Sequence, residues 1–289
     1  MHQLFRREWP RVFVLCTLLV LCILVARTPQ NGSGRLVVSL LDVGQGEAIF
    51  IQTPNGRQVL IDGGPNASVL EELGAVMPVG DRTLDLVVLT HAHSDHVSGL
   101  VHVLERYAVS GILESGAPYT TGVYRAWRDA VAQEGAVAVQ ALPGRRILLD
   151  ADTALTVYAP NPTRALAEKN PNNASVMLML QHGAVRMLLT GDAEAPVEQR
   201  LVSQGAQLVA DILKVGHQGS RTSSTLPFLM RVAPRVAIMS VGEGNTYGHP
   251  HRVVTERLAN LSIPYYRTDV DGRITIESDG TSFAVRAHK

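Results

Sequence analysis

Cysteine is confined to Cys16 and Cys22, both inside an apolar N-terminal run. The rest of the 289-residue chain therefore has no disulfide staple, no cysteine-ligated zinc and no thiol nucleophile. Net charge is lacking too: Lys and Arg total 26, and Asp and Glu total 26. Arg6, Arg7, Arg11 and Arg27 against Glu8 fall in the first 27 positions, which leaves 22 basic and 25 acidic residues in the remainder. A slightly acidic body excludes a broadly basic nucleic-acid coat, so any polyanion must be held at a local site. With 46% hydrophobic and 18% charged residues the composition also excludes a disordered chain and allows a real core. There is no internal repeat and no second linker after Leu36.

A long apolar run is likewise missing. Val12 to Ala26 is uncharged but only 15 residues long. As a helix it would span roughly 22 Å, against roughly 30 Å of bilayer hydrocarbon. Arg6, Arg7 and Arg11 precede it, the layout of a signal peptide or a short signal-anchor. Leu24 stands where a cleavage site needs a small residue, and Leu21 spoils the lipoprotein reading of Cys22. Residues 29–34, Pro-Gln-Asn-Gly-Ser-Gly, read as a linker. The expected division is residues 1–33 as anchor or signal plus linker, and 34–289 as one domain. Residues 12–26 would put that domain at the membrane, on the extracytoplasmic side.

Within 34–289, strand-like runs recur at Leu36–Val43, Ala48–Thr53, Gln58–Asp62, Leu84–Thr90, Ile112–Glu114, Ala154–Tyr158, Ser175–Gln181, Val185–Thr190, Ile212–Val215, Val236–Val241, Tyr265–Thr268 and Arg273–Glu277. Turns at Pro54-Asn55-Gly56 and His182-Gly183 read as hairpins. Helical periodicity falls at Ser94–Tyr107, Val123–Glu134, Ala193–Gln204, Thr225–Val232 and His251–Asn260. This pattern predicts an α/β sandwich of two sheets with helices outside.

The chemistry sits at strand ends. Leu86-Val87-Val88-Leu89-Thr90 is followed by His91, His93, Asp95 and His96, four metal-ligand types within six residues. His91 and His93, two apart in extended chain, point the same way. Imidazoles with a carboxylate suit borderline ions such as Zn²⁺ or Mn²⁺. Leu188-Leu189-Thr190-Gly191 delivers Asp192 at a second strand end, and an aspartate bridging two ions is what the first cluster lacks. His217 and His249 lie in glycine-containing loops beyond two further strands. His2, His102, His182 and His288 carry no such context.

These phrases resemble the metallo-β-lactamase superfamily, and within it the extracellular hydrolase domain of the ComEC competence-protein family. The likeness rests on residues 41–48 (Leu-Asp-Val-Gly-Gln-Gly-Glu-Ala), 61–64 (Ile-Asp-Gly-Gly), the His91–His96 run, 189–194 (Leu-Thr-Gly-Asp-Ala-Glu), 214–220 (Lys-Val-Gly-His-Gln-Gly-Ser) and 247–251 (Tyr-Gly-His-Pro-His). It implies an αββα sandwich, metal-dependent hydrolysis with two divalent ions (Zn or Mn), and a phosphodiester substrate, single-stranded DNA above all. Glu47 departs from the family's Asp, and Gln218 replaces the second of two adjacent histidines. The multi-span channel domain of full competence proteins is not in this sequence, so a channel would be a separate protein.

Many relatives in that superfamily place one more histidine between the first motif and the bridging aspartate. His102 and His182 are the histidines in that interval, and neither fits: one lies along a helix, the other at a hairpin tip about 30 Å away. If Gln181 pairs with Ala184, Asn173 lies opposite Asp192; a turn shifted by one residue selects Ser175. An amide, a hydroxyl or water would then replace imidazole. Lys214 is expected as a cation beside the scissile phosphate, and Asp95 as a further catalytic carboxylate. His217 or His249, whichever is not a ligand, would protonate the leaving oxygen. Arg221 and the amides of Gly219 and Ser220 would hold a neighbouring phosphate. Two other readings compete. A lactone, thioester or β-lactam hydrolase predicts an apolar pocket and little use for Lys214. A non-catalytic membrane-anchored module of DNA uptake predicts lost ligands.

Overall fold

The computed structural model describes residues 34–289. The expected N-terminal hydrophobic helix lies outside them. Among the described residues no helix is long and apolar enough to cross a membrane.

Two sheets face each other. The first contains β1 (Leu36–Leu40), β2 (Ile49–Gln52), β3 (Gln58–Ile61), β4 (Thr83–Leu89), β5 (Ala108–Glu114), β6 (Val137–Gln140), β14 (Ile274–Ser278) and β15 (Phe283–Ala287), in the order β15-β14-β1-β2-β3-β4-β5-β6. The second contains β7 (Arg146–Leu148), β8 (Thr153–Ala159), β9 (Met177–His182), β10 (Val185–Leu189), β11 (Ile212–Lys214), β12 (Val236–Met239) and β13 (Tyr265–Arg267), in the order β13-β12-β11-β10-β9-β8-β7. Side chains alternate faces along each strand. Val59, Ile61 and Val88 of the first sheet meet Leu178, Leu180, Met187, Leu189 and Ile212 of the second in one inner core.

The alternate residues face outward and need helices to cover them. Leu60, Val87 and Ile112 pack against α1 (Ser68–Val76), α2 (Ser94–Leu104) and α3 (Gly122–Glu134), where Leu73, Val97, Leu100, Val103 and Trp127 are buried. Leu188, Leu213 and Ala237 pack against α5 (Ala195–Ser203), α6 (Leu226–Val232) and α7 (Arg252–Asn260) through Val197, Leu201, Phe228, Val254 and Leu258. Short helices α4 (Pro162–Ala167) and α8 (Thr268–Asp271) complete the set. The result is the expected αββα sandwich.

Sequence patterning missed β6, β7, β15, α1 and the short helices α4 and α8. β6 and β7 are edge strands with exposed Val137 and Leu148, so neither alternates as a half-buried strand should. At the β9–β10 hairpin the structure corrects the register. His182 is buried and pairs with Val185, so the turn is Gly183-Ala184, with Gly183 at φ 56°. Strands β3, β4 and β5 run parallel, as do β10, β11 and β12. Their C-terminal ends therefore share an edge in each sheet, the place where α/β sheets bind ligands.

Candidate metal centre

β4 stops at Leu89, and the chain then turns through His91 into α2, whose N-cap is His93. Asp62, just past β3, holds this corner. Its carboxylate accepts from the Thr90 amide at 2.8 Å, the Thr90 hydroxyl at 2.6 Å and His96 Nδ1 at 2.7 Å. Asp62 is buried at φ 57°, a left-handed conformation that only a tightly held non-glycine residue keeps. With its Nδ1 proton given to Asp62, His96 turns Nε2 inward, 3.2 Å from Asp192 Oδ2. Because the Thr90 hydroxyl donates to Asp62, its oxygen accepts from His91 Nδ1, 3.1 Å away. His91 Nε2 then also faces inward, 3.0 Å from His93 Nδ1 and 3.9 Å from Asp192.

The second sheet supplies the other wall. After β10, Gly191 at φ 52° turns Asp192 back toward the histidines; a Cβ there would press on Ser175 and Thr90 at 3.2 Å. After β11, His217 and Gln218 both adopt left-handed backbone, at φ 49° and φ 54°. Two consecutive non-glycine residues in that region store strain at the loop that presents His217. His217 Nε2 lies 3.7 Å from Asp192, and its Nδ1 lies 3.4 Å from Glu194. Glu194 in turn accepts from the side chains of Asn170, Asn172 and Thr222 at 2.7–3.1 Å. Asp95 reaches into the same space, 3.8 Å from His96 and 2.9 Å from the Gln218 amide that donates to it. Gln45 donates to Gln218 from the other side.

Charge follows from this packing. Burial alone would raise Asp192, but His96 first, then His91 and His217, outweigh it and hold the carboxyl below the usual range. Burial would lower His96, yet Asp192, Asp62 and Asp95 together lift it well above 6.5. His91 goes the other way, kept neutral by burial and by the neighbouring His96. His249 stands 5.6 Å from His217 and 4.9 Å from His251, ring centre to ring centre. Burial, then those two rings, push it down to about 4.

His93, Asp95, Asp192, His217 and His249 line one cleft of about 300 Å³, with Gln45, Gln218 and Tyr247 at its margins. The ligand atoms of His91, His96 and Asp192 lie within 4.8 Å of one another. Asp192 Oδ1 and His249 Nδ1 are buried without hydrogen-bond partners. Convergent imidazole nitrogens around an unsatisfied carboxylate oxygen are a donor set that a divalent cation fits. His91, His93, Asp95, His96, Asp192, His217 and His249 are thus brought together.

Three expected assignments are not met. Lys214 does not line the cleft. It is 0% exposed, ion-paired with Glu47 and 3.9 Å from Asp192, and it donates to the Gly191 carbonyl at 3.2 Å. Alternation explains this: Ile212 faces the inner core and Leu213 the outer one, so Lys214 points between the sheets. Asn173 is not opposite Asp192. The hairpin register places Ser175 there, and the Asp192 amide donates to its hydroxyl at 3.2 Å, so Ser175 holds the loop through its backbone. Of the two amides expected to hold a phosphate, that of Ser220 is already engaged, donating to the His217 carbonyl at 2.7 Å. Asp62, Glu194 and Gln45 are absent from the sequence-derived site. Their signal lies in the matched phrases themselves, where Gln45 and Asp62 stand beside glycine and Glu194 two residues after Asp192.

The sequence model of the metallo-beta-lactamase superfamily matches residues 41–243. Among curated proteins, ComE operon protein 3 of Bacillus subtilis is 31% identical over 278 residues, covering 90% of this chain and 35% of that protein. Recombination protein 2 of Haemophilus influenzae is 30% identical over 268 residues, covering 90% of this chain and 31% of that protein. The chain therefore spans about a third of the length of the curated relatives it matches. Among solved structures, the metallo-beta-lactamase fold protein YhfI from Bacillus subtilis superposes with a TM-score of 0.58 at 11% identity, over 84% of this chain and 100% of that one.

Proposed function

Because the chain belongs to the metallo-beta-lactamase superfamily, we propose that residues 34–289 form a dinuclear metal-dependent hydrolase domain that cleaves phosphodiesters, with single-stranded DNA as substrate. The observation that carries this reading is the polar cleft. Imidazoles and carboxylates from both sheets converge in it, and no aliphatic side chain lines it.

His91, His93, Asp95, His96, Asp192 and His217 are the residues that would hold two divalent ions. Ions bound there supply Lewis acidity and a water of lowered pKa near neutral pH. The protein's own groups do the rest. Asp62 and Thr90 fix the ring orientations of His96 and His91, and Glu194 fixes that of His217. His249, neutral at pH 7, can exchange a hydrogen bond with a substrate oxygen without adding charge. No Lys or Arg lines the cleft, so charge on a phosphate is met there by the ions and the imidazoles.

The lactone, thioester or β-lactam reading is disfavoured by space. The cavity beside His91, where Leu89, Ala92, Pro118 and Ala174 meet Glu114 and Glu168, holds only about 20 Å³. That is room for about one water and not for an acyl chain. The non-catalytic reading is disfavoured because the ligand types are all present and converge. The phrases shared with the competence-protein hydrolase domain support a role in DNA uptake, and residues 12–26 would hold the domain at the outer face of the membrane.

Metal analysis of the purified protein, with turnover of bis-p-nitrophenyl phosphate, single-stranded DNA, a lactone and a cephalosporin, tests the proposal. We expect close to two ions per chain and phosphodiester turnover that His91→Ala abolishes. Phosphodiester turnover in metal-free protein, or turnover of the lactone alone, would overturn it.

A further inference from the structure

A second cavity of about 200 Å³ lies between α4 and α5, at the end of β8. It shares no lining residue with the metal cleft. Arg164 of α4 and Arg200 of α5 both line it, and no acidic residue does. Neither guanidinium has a hydrogen bond or ion pair to a described residue, whereas Arg128 is spent on Glu114 and Arg267 on Asp269. Arg200 is half-buried, and burial first, then the neighbouring Arg164, hold it below its ordinary value. Glu168 attracts it weakly, but the Glu168 carboxylate is occupied with the Asn170 amide at 3.2 Å.

Arg164 is exposed and Arg200 half-buried, so both can reach a ligand from solvent, and their like charges facing one concave space favour a negative group between them. Among the other polar side chains that line the cavity, the Tyr158 hydroxyl donates to the Gln207 carbonyl at 2.9 Å, while Asn161 and Gln204 can offer donors. Asn161 spends its oxygen on the Arg164 amide, which leaves its NH₂ free to point outward. The side-chain amide of Gln204 has no hydrogen-bond partner among the described residues. Two planar guanidiniums flanked by amide donors match the oxygens of a phosphate group, which arginine binds bidentately. The cavity is too small for a whole nucleotide but adequate for one phosphate with part of what it is bonded to.

We propose that Arg164 and Arg200 form a phosphate-binding pocket between α4 and α5, separate from the metal cleft. The pocket and the cleft share their framing segments. α4 runs on into the turn that carries Asn172, and α5 starts directly after Glu194, both of which reach His217. A phosphate held there is either inorganic phosphate or one unit of a nucleotide chain. The pocket stands on its own geometry and does not depend on the phosphodiesterase reading.

The test uses the full chain with a chelator present, so that the cleft is metal-free and turnover plays no part. Binding of radiolabelled inorganic phosphate and of thymidine 5′-monophosphate is measured by equilibrium dialysis. Binding of a fluorescent single-stranded oligonucleotide is followed by anisotropy. Wild type should bind at least one of the three. Arg200→Ala should weaken that binding about tenfold or more, Arg164→Ala similarly, and Arg200→Lys less, because charge survives without the fork. Binding of inorganic phosphate assigns a free anion; binding of the nucleotide or oligonucleotide alone assigns a nucleic-acid phosphate. Arg200→Gln serves if the alanine variant fails to fold. Failure of all three probes to bind, or binding that the arginine variants leave unchanged and His217→Ala removes, would overturn the pocket.

Discussion

Lys214 and Glu47 form an ion pair that solvent does not reach, and the pair lies against Asp192 instead of opening into the cleft. Glu47 has no other charged partner among the described residues, and its Oε1 makes no hydrogen bond. Burial pushes Lys214 down to about 7, while two carboxylates within 4 Å favour the ammonium. Removing one member of such a pair leaves the other buried and uncompensated. Lys214→Ala should therefore cost about 3–5 kcal/mol of stability. It should also reduce metal content, since Asp192 and the Gly191 turn lose their support. Replacing both partners, as Lys214→Met with Glu47→Leu, should recover most of the loss. Denaturant unfolding and metal analysis check this. A stable Lys214→Ala variant with full metal and slow turnover would restore the lysine to the cleft.

Much of this was legible in the sequence, and the misses have physical causes. The four ligand types from His91 to His96 stand close in the chain, so one strand end suffices to bring them together. Asp192 and His217 were legible because short apolar strands deliver them at parallel ends. The place of Lys214 follows from alternation: with Ile212 facing the inner core and Leu213 the outer one, a period of two turns the lysine between the sheets and away from the cleft. Asn173 and Ser175 stay open alternatives in the sequence, because a slip of one in the turn exchanges every cross-strand partner; the His182–Val185 pairing selects Ser175. What pattern reading does not reach is the set of partners: Asp62 meets Thr90 and His96, 28 and 34 residues on, Glu194 meets Asn172 and Thr222, 22 and 28 residues away, and only the fold joins them.

Gly46 sits where the loop after β1 crosses the start of α2. A Cβ there would lie 2.2 Å from the Asp95 carbonyl oxygen, and the residue is at φ 131°. The Glu47 amide donates to that same carbonyl at 3.2 Å, so the loop cannot withdraw without breaking it. Gly46→Ala should destabilise the domain by roughly 2–3 kcal/mol and loosen Asp95. Gly44→Ala, with nothing within 4 Å, should cost less despite its own φ of 77°. Thermal unfolding of the two variants side by side decides; equal losses would mean that positive φ, and not the close approach, sets the requirement at Gly46.

Residues 1–33 carry the expectation of membrane placement. Fused to a reporter that is active only outside the cytoplasm, they should give signal in the membrane fraction. Arg6, Arg7 and Arg11 changed together to Glu should reduce that signal by disturbing orientation. A silent reporter with a soluble product in the cytoplasm would remove the anchor and, with it, the extracytoplasmic reading.

The clamp on His96 makes metal affinity depend on pH in a stated direction. In the metal-free site, Asp192, Asp62 and Asp95 hold the His96 imidazole protonated to well above pH 6.5, against the pull of burial. A ring that ligates must first lose its Nε2 proton, so metal competes with that proton. Below the raised pKa each unit of pH should therefore change affinity about tenfold, rising with pH, and the slope should persist through pH 7. Asp192 adds nothing to it, because its carboxyl is ionised throughout that range. Asp62→Asn separates the clamp from the ligand: asparagine tolerates the left-handed backbone at φ 57° but removes the charge behind His96. That variant should bind metal about 10–100-fold more weakly at pH 8, where the ring's orientation is what it loses. Its slope between pH 6 and pH 8 should be shallower, because His96 now deprotonates sooner. Calorimetric titration with Zn²⁺ in buffers of different ionisation enthalpy reads both affinity and protons released. Wild-type affinity that is flat from pH 6 to pH 8, with no proton release, would mean that His96 is neutral in the metal-free site and that Asp62 does not govern it.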